Sequence, residues 1–172
     1  MVERLLWEQE VVGSNPASPT NIGRYMEFYI TGARRGLGKA LVNKYGNCDS
    51  LEDCDVFINN KCDRFDQVFM LYHAAELNKR IINISSNTSD SKKPNNIMYA
   101  VYKGALDDLN DRLYYEGKRT TSIRFGYFDT PRVAHVDKEK MPVEYCLDVI
   151  EWVLNQPHRI KELTVSPYKE SK

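Results

Sequence analysis

The sequence is marked first by what it lacks. It has no apolar run of roughly 18 residues, which excludes a membrane-spanning helix. It has no net charge, because 24 Lys and Arg balance 24 Asp and Glu, and this balance argues against a nucleic-acid-binding chain. It has no CxxC pair among Cys48, Cys54, Cys62 and Cys146, and the nearest histidine is His73. We therefore predict no metal centre and no disulfide framework, and expect reduced thiols in a cytoplasmic protein.

Residues 1–25 differ from the rest of the chain. They lack the pattern of a signal peptide, and residues 13–19 are rich in Gly, Ser, Asn and Pro, which favours a loop. The Gly-Ser-Asn-Pro sequence at 13–16 can be encoded by the nucleotides of a tRNA T-arm. We therefore expect a reading frame begun too early, with Met26 as the real start; a genuine flexible arm is the alternative. Residues 26–172 form the single predicted domain.

From Met26 onward, short β-prone segments alternate with amphipathic helical segments. The predicted strands are 27–31, 55–58, 80–85, 120–125 and 160–165, and the predicted helices are 39–44, 66–79, 97–116 and 143–154. Such alternation is typical of a parallel sheet, because parallel strands need helical crossovers. We predict an α/β fold, a doubly wound parallel sheet of about five strands with helices on both faces.

The first chemical motif follows the first predicted strand. Thr31-Gly32-Ala33-Arg34-Arg35-Gly36-Leu37-Gly38 places three glycines between a strand and a helix. Glycine lets the backbone approach a pyrophosphate closely, and a helix N-terminus offers free N–H groups and positive charge. The position of the motif indicates a dinucleotide site; a glycine-rich turn without a ligand is the alternative.

The second motif combines a serine, a tyrosine and a lysine. Ser86 follows the third predicted strand, and Tyr99 and Lys103 lie four residues apart near the start of a helix. This spacing puts the phenol and the amine on one helix face. A nearby ammonium lowers a phenol pKa, so Tyr99 becomes a plausible acid or base for a carbonyl or an alcohol. By chance alone, such a pair is also found on ordinary solvated helices.

Together these motifs resemble the short-chain dehydrogenase/reductase family, and the resemblance spans about residues 26–167. It implies a Rossmann-like domain and a nicotinamide cofactor, with Ser86 orienting the substrate carbonyl and Tyr99 transferring the proton. Lys103 would lower the Tyr99 pKa and bind the nicotinamide ribose. The cofactor-binding positions implied are Thr31, Gly32, Arg34, Arg35, Gly36, Leu37, Gly38, Asp49, Asn59, Asn60, Tyr99, Lys103, Gly126 and Thr130.

The chain departs from the family in being short. Only sixteen residues separate Gly38 from Asp55, where the family fits a strand, a helix and another strand of the adenosine pocket. Lys61-Cys62 stands where the family has Ala-Gly. For the helical asparagine of the family's proton relay, Gln67 is the candidate we offer. Arg35 stands where NADP-preferring relatives carry a basic residue, so NADP is the preferred cofactor and NAD the alternative.

These features predict an NAD(P)-dependent oxidoreductase that acts on a small carbonyl or alcohol. The alternative is a non-catalytic dinucleotide-binding or regulatory protein with an eroded site. A sugar-nucleotide epimerase or dehydratase shares the tyrosine–lysine pair, but the short C-terminal region argues against it. Helices 66–79 and 97–116 form a dimer bundle in the family, so a homodimer or tetramer is a possible partner state. We expect no nucleic-acid, membrane or metal partner.

Overall fold

The structure is a computed structural model that describes residues 26–91 and 96–167; the predicted leader, residues 1–25, lies outside the described residues. The strands are β1 Phe28–Ile30, β2 Val56–Asn59, β3 Arg80–Ser86, β4 Thr120–Phe125 and β5 Glu162–Val165. The helices are α1 Gly36–Tyr45, α2 Asp66–Glu76, α3 Ile97–Tyr115 and α4 Val143–Leu154, with short 3₁₀ turns at Asn87–Asp90 and Pro131–Val133. No helix in these ranges is long and apolar enough to cross a membrane.

The strands form one five-stranded, wholly parallel sheet in the order β1-β2-β3-β4-β5. Successive side chains of a strand point to opposite faces, and both faces are buried here. Ile58 and Ile82 pack with α1 and α4, whereas Phe57 and Ile81 pack with α2 and α3. This two-sided burial explains the apolar runs of β1 and β2, whereas β3 and β4 also bury polar side chains such as Asn83 and Ser122. The predicted Rossmann-like α/β class, with helices on both faces, is confirmed.

The direction of winding is unusual. Every connection steps to the next strand in the same direction across the sheet, yet α1 and α4 lie on one face and α2 and α3 on the other. Two crossovers that step the same way on opposite faces have opposite hands. The α4 connection therefore has the opposite hand to the α2 and α3 connections, so within the described residues the crossovers do not all follow the strong preference for right-handed connections.

The outer edge of β1 is closed by residues 46–55. The backbone N–H of Ile30 donates to the Asn47 Oδ1 atom at 2.6 Å, and the N–H of Cys48 donates to the Phe28 carbonyl at 2.8 Å. Leu51 then crosses to the α2 side and is buried there. These contacts cover backbone groups that an open sheet edge would expose. The short segment thus finishes the sheet where the resemblance leads one to expect further strands.

Candidate functional site

The glycine motif forms the turn from β1 into α1. Gly32 has φ +75° and Gly36 has φ +55°, a conformation that residues with a side chain rarely adopt. A Cβ atom at Gly38 would lie 2.1 Å from the Gly32 carbonyl oxygen, so only glycine fits where the helix starts against the strand end. Arg35 is the N-cap and makes no side-chain capping bond, and the first turn holds no acidic residue. The turn therefore presents an electropositive helix start.

The end of β2 holds this turn in place. The Thr31 hydroxyl oxygen accepts from the backbone N–H groups of Asn60 and Lys61, both at 2.9 Å. The Asn60 side-chain amide donates to the Thr31 carbonyl at 3.0 Å. Asn60 and Thr31, both among the predicted positions, therefore lie together with Gly32.

Asn59 is not brought to the glycine turn. Its side chain is 1% exposed and donates to the Gln67 carbonyl at 2.8 Å and to the Asn83 Oδ1 atom at 3.0 Å. Adjacent residues of a strand point to opposite faces, so only one of the two neighbouring asparagines can face the turn. Asn59 belongs to the buried polar cluster beneath α2 and α3.

Asp49 is not brought to the turn either. Asn47 contacts Ile30 and the next residue, Cys48, contacts Phe28, so the chain runs toward the amino end of β1 as it reaches Asp49. The Asp49 side chain is exposed there. The glycine turn and the ends of the strands lie at the carboxyl edge of the sheet, which is opposite to the edge that Asp49 approaches. The structure therefore separates Asp49 from the other predicted positions.

Tyr99 and Lys103 are positioned by the start of α3. The Asn96 side chain caps the helix by accepting from the Tyr99 N–H at 2.9 Å, and Lys103 follows one turn later. The Lys103 Nζ atom lies 5.6 Å from the centre of the Tyr99 ring. Ser86, the last residue of β3, lies close enough to Tyr99 to lower its pKa, and the Ser86 hydroxyl oxygen accepts from the Thr88 N–H at 3.2 Å. The three predicted catalytic side chains therefore converge.

Lys103 is buried, with 2% of its surface exposed. Its ammonium donates to the Gln67 Oε1 atom at 2.7 Å and to the Ile84 carbonyl at 2.6 Å. Gln67 in turn donates to the Asn59 carbonyl at 2.6 Å. Gln67, offered from the sequence for the family's helical amide, thus contacts the lysine directly.

The ionisation of the pair differs from the expectation. Burial lowers the pKa of Lys103 to about 8, although Cys62 and Asp107 act in the opposite direction. The pKa of Tyr99 is raised, chiefly by burial, while Ser86 and the positive charge of Arg132 oppose that rise. The sequence-based expectation of a lowered Tyr99 pKa is therefore wrong for this structure, because desolvation outweighs the nearby positive charges.

The segment after β4 reaches back to the glycine turn. The Thr130 methyl carbon lies 3.3 Å from the position of a Cβ atom on Gly36. Gly126 donates its N–H to the Val165 carbonyl at 2.8 Å, and a Cβ atom on it would meet Pro167 and Ser166 at 3.1 Å. Thr130 therefore lies at the turn, whereas Gly126 packs against the end of β5.

The remaining predicted positions surround the start of α1. Arg34 and Arg35 are exposed, and Leu37 is a core residue that is 2% exposed. The sequence reasoning did not single out Arg132, whose guanidinium carbon lies 5.9 Å from the centre of the Tyr99 ring. The sequence does contain an indication of its role, because Arg132 stands two residues after the predicted cofactor-binding residue Thr130.

Comparisons with known proteins were made for the sequence and for the structure. No family model matches the chain, and no curated protein is similar to it in sequence. The structure is similar to that of a short chain dehydrogenase from Burkholderia cenocepacia in complex with NADP, with 17% identity, a TM-score of 0.66, and coverage of 82% of this chain and 88% of that one. A 4-hydroxyisoleucine dehydrogenase complexed with NADH has 16% identity, a TM-score of 0.63, and coverage of 82% and 96%.

A third similar structure is an angucycline C-6 ketoreductase with bound NADP, at 18% identity and a TM-score of 0.62, covering 82% of this chain and 93% of that one. The shared feature of these proteins is a Rossmann-like α/β domain. The fold of the chain is therefore that of the short-chain dehydrogenases, in a shortened form, as the motifs predict.

Proposed function

We propose that the protein is an NAD(P)-dependent oxidoreductase that transfers a hydride between a nicotinamide cofactor and a small carbonyl or alcohol substrate. The observation that carries the proposal is the convergence of Ser86, Tyr99 and Lys103 at the carboxyl edge of the sheet. The tight glycine turn that starts α1 lies at the same edge. In open α/β sheets this edge is where ligands bind.

The residues of the turn fit a dinucleotide. Gly38 brings the start of α1 against the end of β1, and the absence of an acidic residue from the first turn favours a bound anion. Thr31, Gly36 and Thr130 would lie around the pyrophosphate, and Arg35 favours NADP over NAD. The similar structures named above contain NADP or NADH, which supports the same cofactor class.

The bound nicotinamide would supply the hydride, and the protein's own residues would handle the substrate oxygen and its proton. Burial keeps the proton on the Tyr99 hydroxyl at neutral pH, which suits its donation to a carbonyl oxygen. The Ser86 hydroxyl would orient that oxygen. Lys103, with a pKa near 8 and fixed by Gln67, would hold positive charge behind the phenol.

The proposal is tested by two measurements on the full chain. A fluorescence titration with NADPH and with NADH should give a saturable signal, weaker than for a protein with a complete adenosine pocket. A panel of small ketones and aldehydes should be reduced, and Tyr99→Phe should lower kcat by about 10²–10⁴-fold, the usual contribution of a general acid.

Tyr102→Phe is the matched control. This variant also removes a phenol hydroxyl from α3, but the Tyr102 ring packs against Phe65, with the ring centres 4.8 Å apart. Its activity should equal that of the wild type. Absence of cofactor binding would remove the dinucleotide function, and equal turnover by both variants would remove Tyr99 from its role.

A non-catalytic dinucleotide-binding protein is the second candidate. It is favoured by the loop after β2, where Lys61 and Cys62 replace small residues and the Lys61 Cβ atom lies 3.2 Å from the position of a Cβ atom on Gly32. It is also favoured by the end of the sheet at β1, which leaves few contacts for an adenosine. Saturable cofactor binding without turnover, unchanged in Tyr99→Phe, would establish it.

We also propose a homodimer through α2 and α3. Large apolar side chains are exposed on both helices, with Phe69 71% exposed and Ile97 69% exposed. Exposed apolar surface of this kind is typical of protein–protein contacts.

A further inference from the structure

We propose that Arg132 binds a carboxylate of the substrate, so that the preferred substrates are small oxo acids and their hydroxy-acid counterparts. This inference rests on the proposed function and names the substrate class of the same site. It comes from the position of one charged side chain beside the proposed proton donor.

Arg132 lies in the Pro131–Val133 turn, directly after the segment that carries Thr130 to the glycine turn. Its guanidinium carbon is 5.9 Å from the centre of the Tyr99 ring, about the same distance as the Lys103 ammonium on that ring. The Arg132 residue is exposed, so its charged group is accessible to a ligand that reaches Tyr99.

The charge of Arg132 is not neutralised within residues 26–91 and 96–167. No carboxylate there forms an ion pair with it. Arg124 is the contrasting case, since it pairs with Asp90, Asp107 and Glu162. Asp129, the nearest acidic residue before Arg132 in the chain, lines a cavity with Lys138, Lys140 and Glu144.

The positive charge also reaches the reacting groups. Arg132 lowers the pKa of Tyr99 and the pKa of Lys103, so its field acts at both side chains. Like charges repel. Asp107 offsets part of this charge at Lys103, whereas Arg132 forms no ion pair within the described residues and is left to stabilise an anion. A substrate carboxylate would supply that anion.

The chemistry fits an oxo acid. A guanidinium binds a carboxylate through two parallel N–H···O bonds, and this pairing would hold the neighbouring carbonyl beside the Tyr99 hydroxyl. In the reduction, the carbonyl carbon gains a hydride from the reduced nicotinamide and its oxygen gains the Tyr99 proton. The products are the hydroxy acid and the oxidised cofactor, and Tyr99 then regains a proton from solvent.

The first test measures binding without turnover. Oxamate is a non-reducible analogue of a 2-oxo acid, and oxamide is its neutral counterpart. Calorimetric titration of the protein, alone and with NADPH, should give oxamate an affinity at least about 30-fold above that of oxamide, the size expected for hydrogen bonds to a charged group. Arg132→Gln should remove that preference, and Arg132→Lys should retain part of it.

Arg112→Gln is the matched control. Arg112 lies in the last turn of α3 and pairs with Asp108 on the solvent face, so its variant should keep the oxamate preference. The second test compares kcat/KM for pyruvate and for its amide. The ratio of the two should fall about 30-fold in Arg132→Gln and stay constant in Arg112→Gln.

The outcomes separate the two proposals. If Arg132→Gln weakens NADPH binding and leaves the acid-to-amide ratio intact, Arg132 holds the cofactor diphosphate and the inference is overturned while the oxidoreductase stands. If NADPH does not bind but oxamate binds in an Arg132-dependent way, the proposed function fails and the carboxylate site stands. Equal binding of oxamate and oxamide by the wild type overturns the inference directly.

Discussion

The buried lysine makes the stability of the protein depend on pH in a defined way. Lys103 is 2% exposed, and burial lowers its pKa from 10.5 to about 8. Below pH 8 the lysine carries its proton in both the folded and the unfolded chain. Between pH 8 and 10.5 the unfolded chain still holds that proton and the folded protein does not, so the free energy of unfolding rises with pH in this window.

The size of the effect follows from the pKa shift. One proton bound only by the unfolded chain changes the free energy of unfolding by about 1.4 kcal/mol per pH unit. Wild type should therefore gain about 2 kcal/mol relative to Lys103→Met between pH 7 and pH 9.5. The substitution also leaves the Gln67 and Ile84 oxygens without their donor, but this loss is the same at every pH.

Urea denaturation of the two proteins at several pH values measures this difference. Thiols and phenols whose pKa burial raises, such as Cys54 and Tyr45, titrate in both proteins and cancel. Lys44→Met is the control, because a hydrogen bond to Glu151 raises the pKa of that exposed lysine. It stays protonated in both states across the window, so its difference from wild type should be flat.

A constant difference between wild type and Lys103→Met from pH 7 to pH 9.5 would refute the reasoning. It would mean that Lys103 keeps its proton in the folded protein and therefore contacts water or an unpaired carboxylate. The description of Lys103 as a buried ammonium held by neutral acceptors would then fail.

Three further predictions concern the turn, the sheet edge and the helix surface. Gly38→Ala should lower the free energy of unfolding by about 1–3 kcal/mol through overpacking and should weaken NADPH binding. Gly104→Ala is the control: Gly104 lies in α3 with open space around it, so this change should raise the free energy of unfolding by about 0.5–1 kcal/mol. Denaturant titration measures both changes in stability. Asn47→Ala removes the acceptor of the Ile30 N–H and should lower stability by about 1 kcal/mol. Phe69→Ser should shift a dimer toward monomer in sedimentation velocity.

Each of these predictions would be contradicted by one result. Equal stability and cofactor affinity in Gly38→Ala would mean that the helix start does not touch the end of β1. An unchanged Asn47→Ala protein would mean that another group closes the sheet edge. Identical sedimentation of Phe69→Ser and wild type would remove the α2 surface from the interface.

The fold was largely predictable because its elements leave local patterns. Residues 80–86 form a short strand in which Ile81, Ile82 and Ile84 are buried, and Leu106 and Leu113 lie at helical spacing on α3 and are buried. The convergence of Ser86, Tyr99 and Lys103 was also predictable, since helical spacing and a strand end specify it. These features depend on only a few neighbouring residues.

Other features depend on register and burial, which local patterns do not specify. Which of Asn59 and Asn60 faces the glycine turn is set by the exact end of β2, and a shift of one residue exchanges them. The raised pKa of Tyr99 comes chiefly from burial, which depends on tertiary packing. The place of Arg132 depends on the path of a loop, for which the sequence has no periodic signal.

The topology of the shortened sheet meets the condition under which a ligand crevice forms. In open α/β sheets a crevice forms where the connections of two adjacent strands leave to opposite faces. That condition normally coincides with a reversal of strand order, but here the order runs in one direction from β1 to β5. It is nevertheless met at β1 and β2, because α1 leaves to one face and α2 to the other.

The same condition is met a second time at β3 and β4, where α3 and α4 leave to opposite faces. The glycine turn and Asn60 lie at the first of these positions, and Ser86 and the segment that carries Thr130 lie at the second. Because α1 stays on its face while residues 46–55 close the edge of β1, the sheet of the described residues ends at β1. This end leaves fewer contacts for an adenosine and does not change the topology at either position. We therefore expect the shortening of the sheet to weaken cofactor binding more than it changes the reaction at Tyr99.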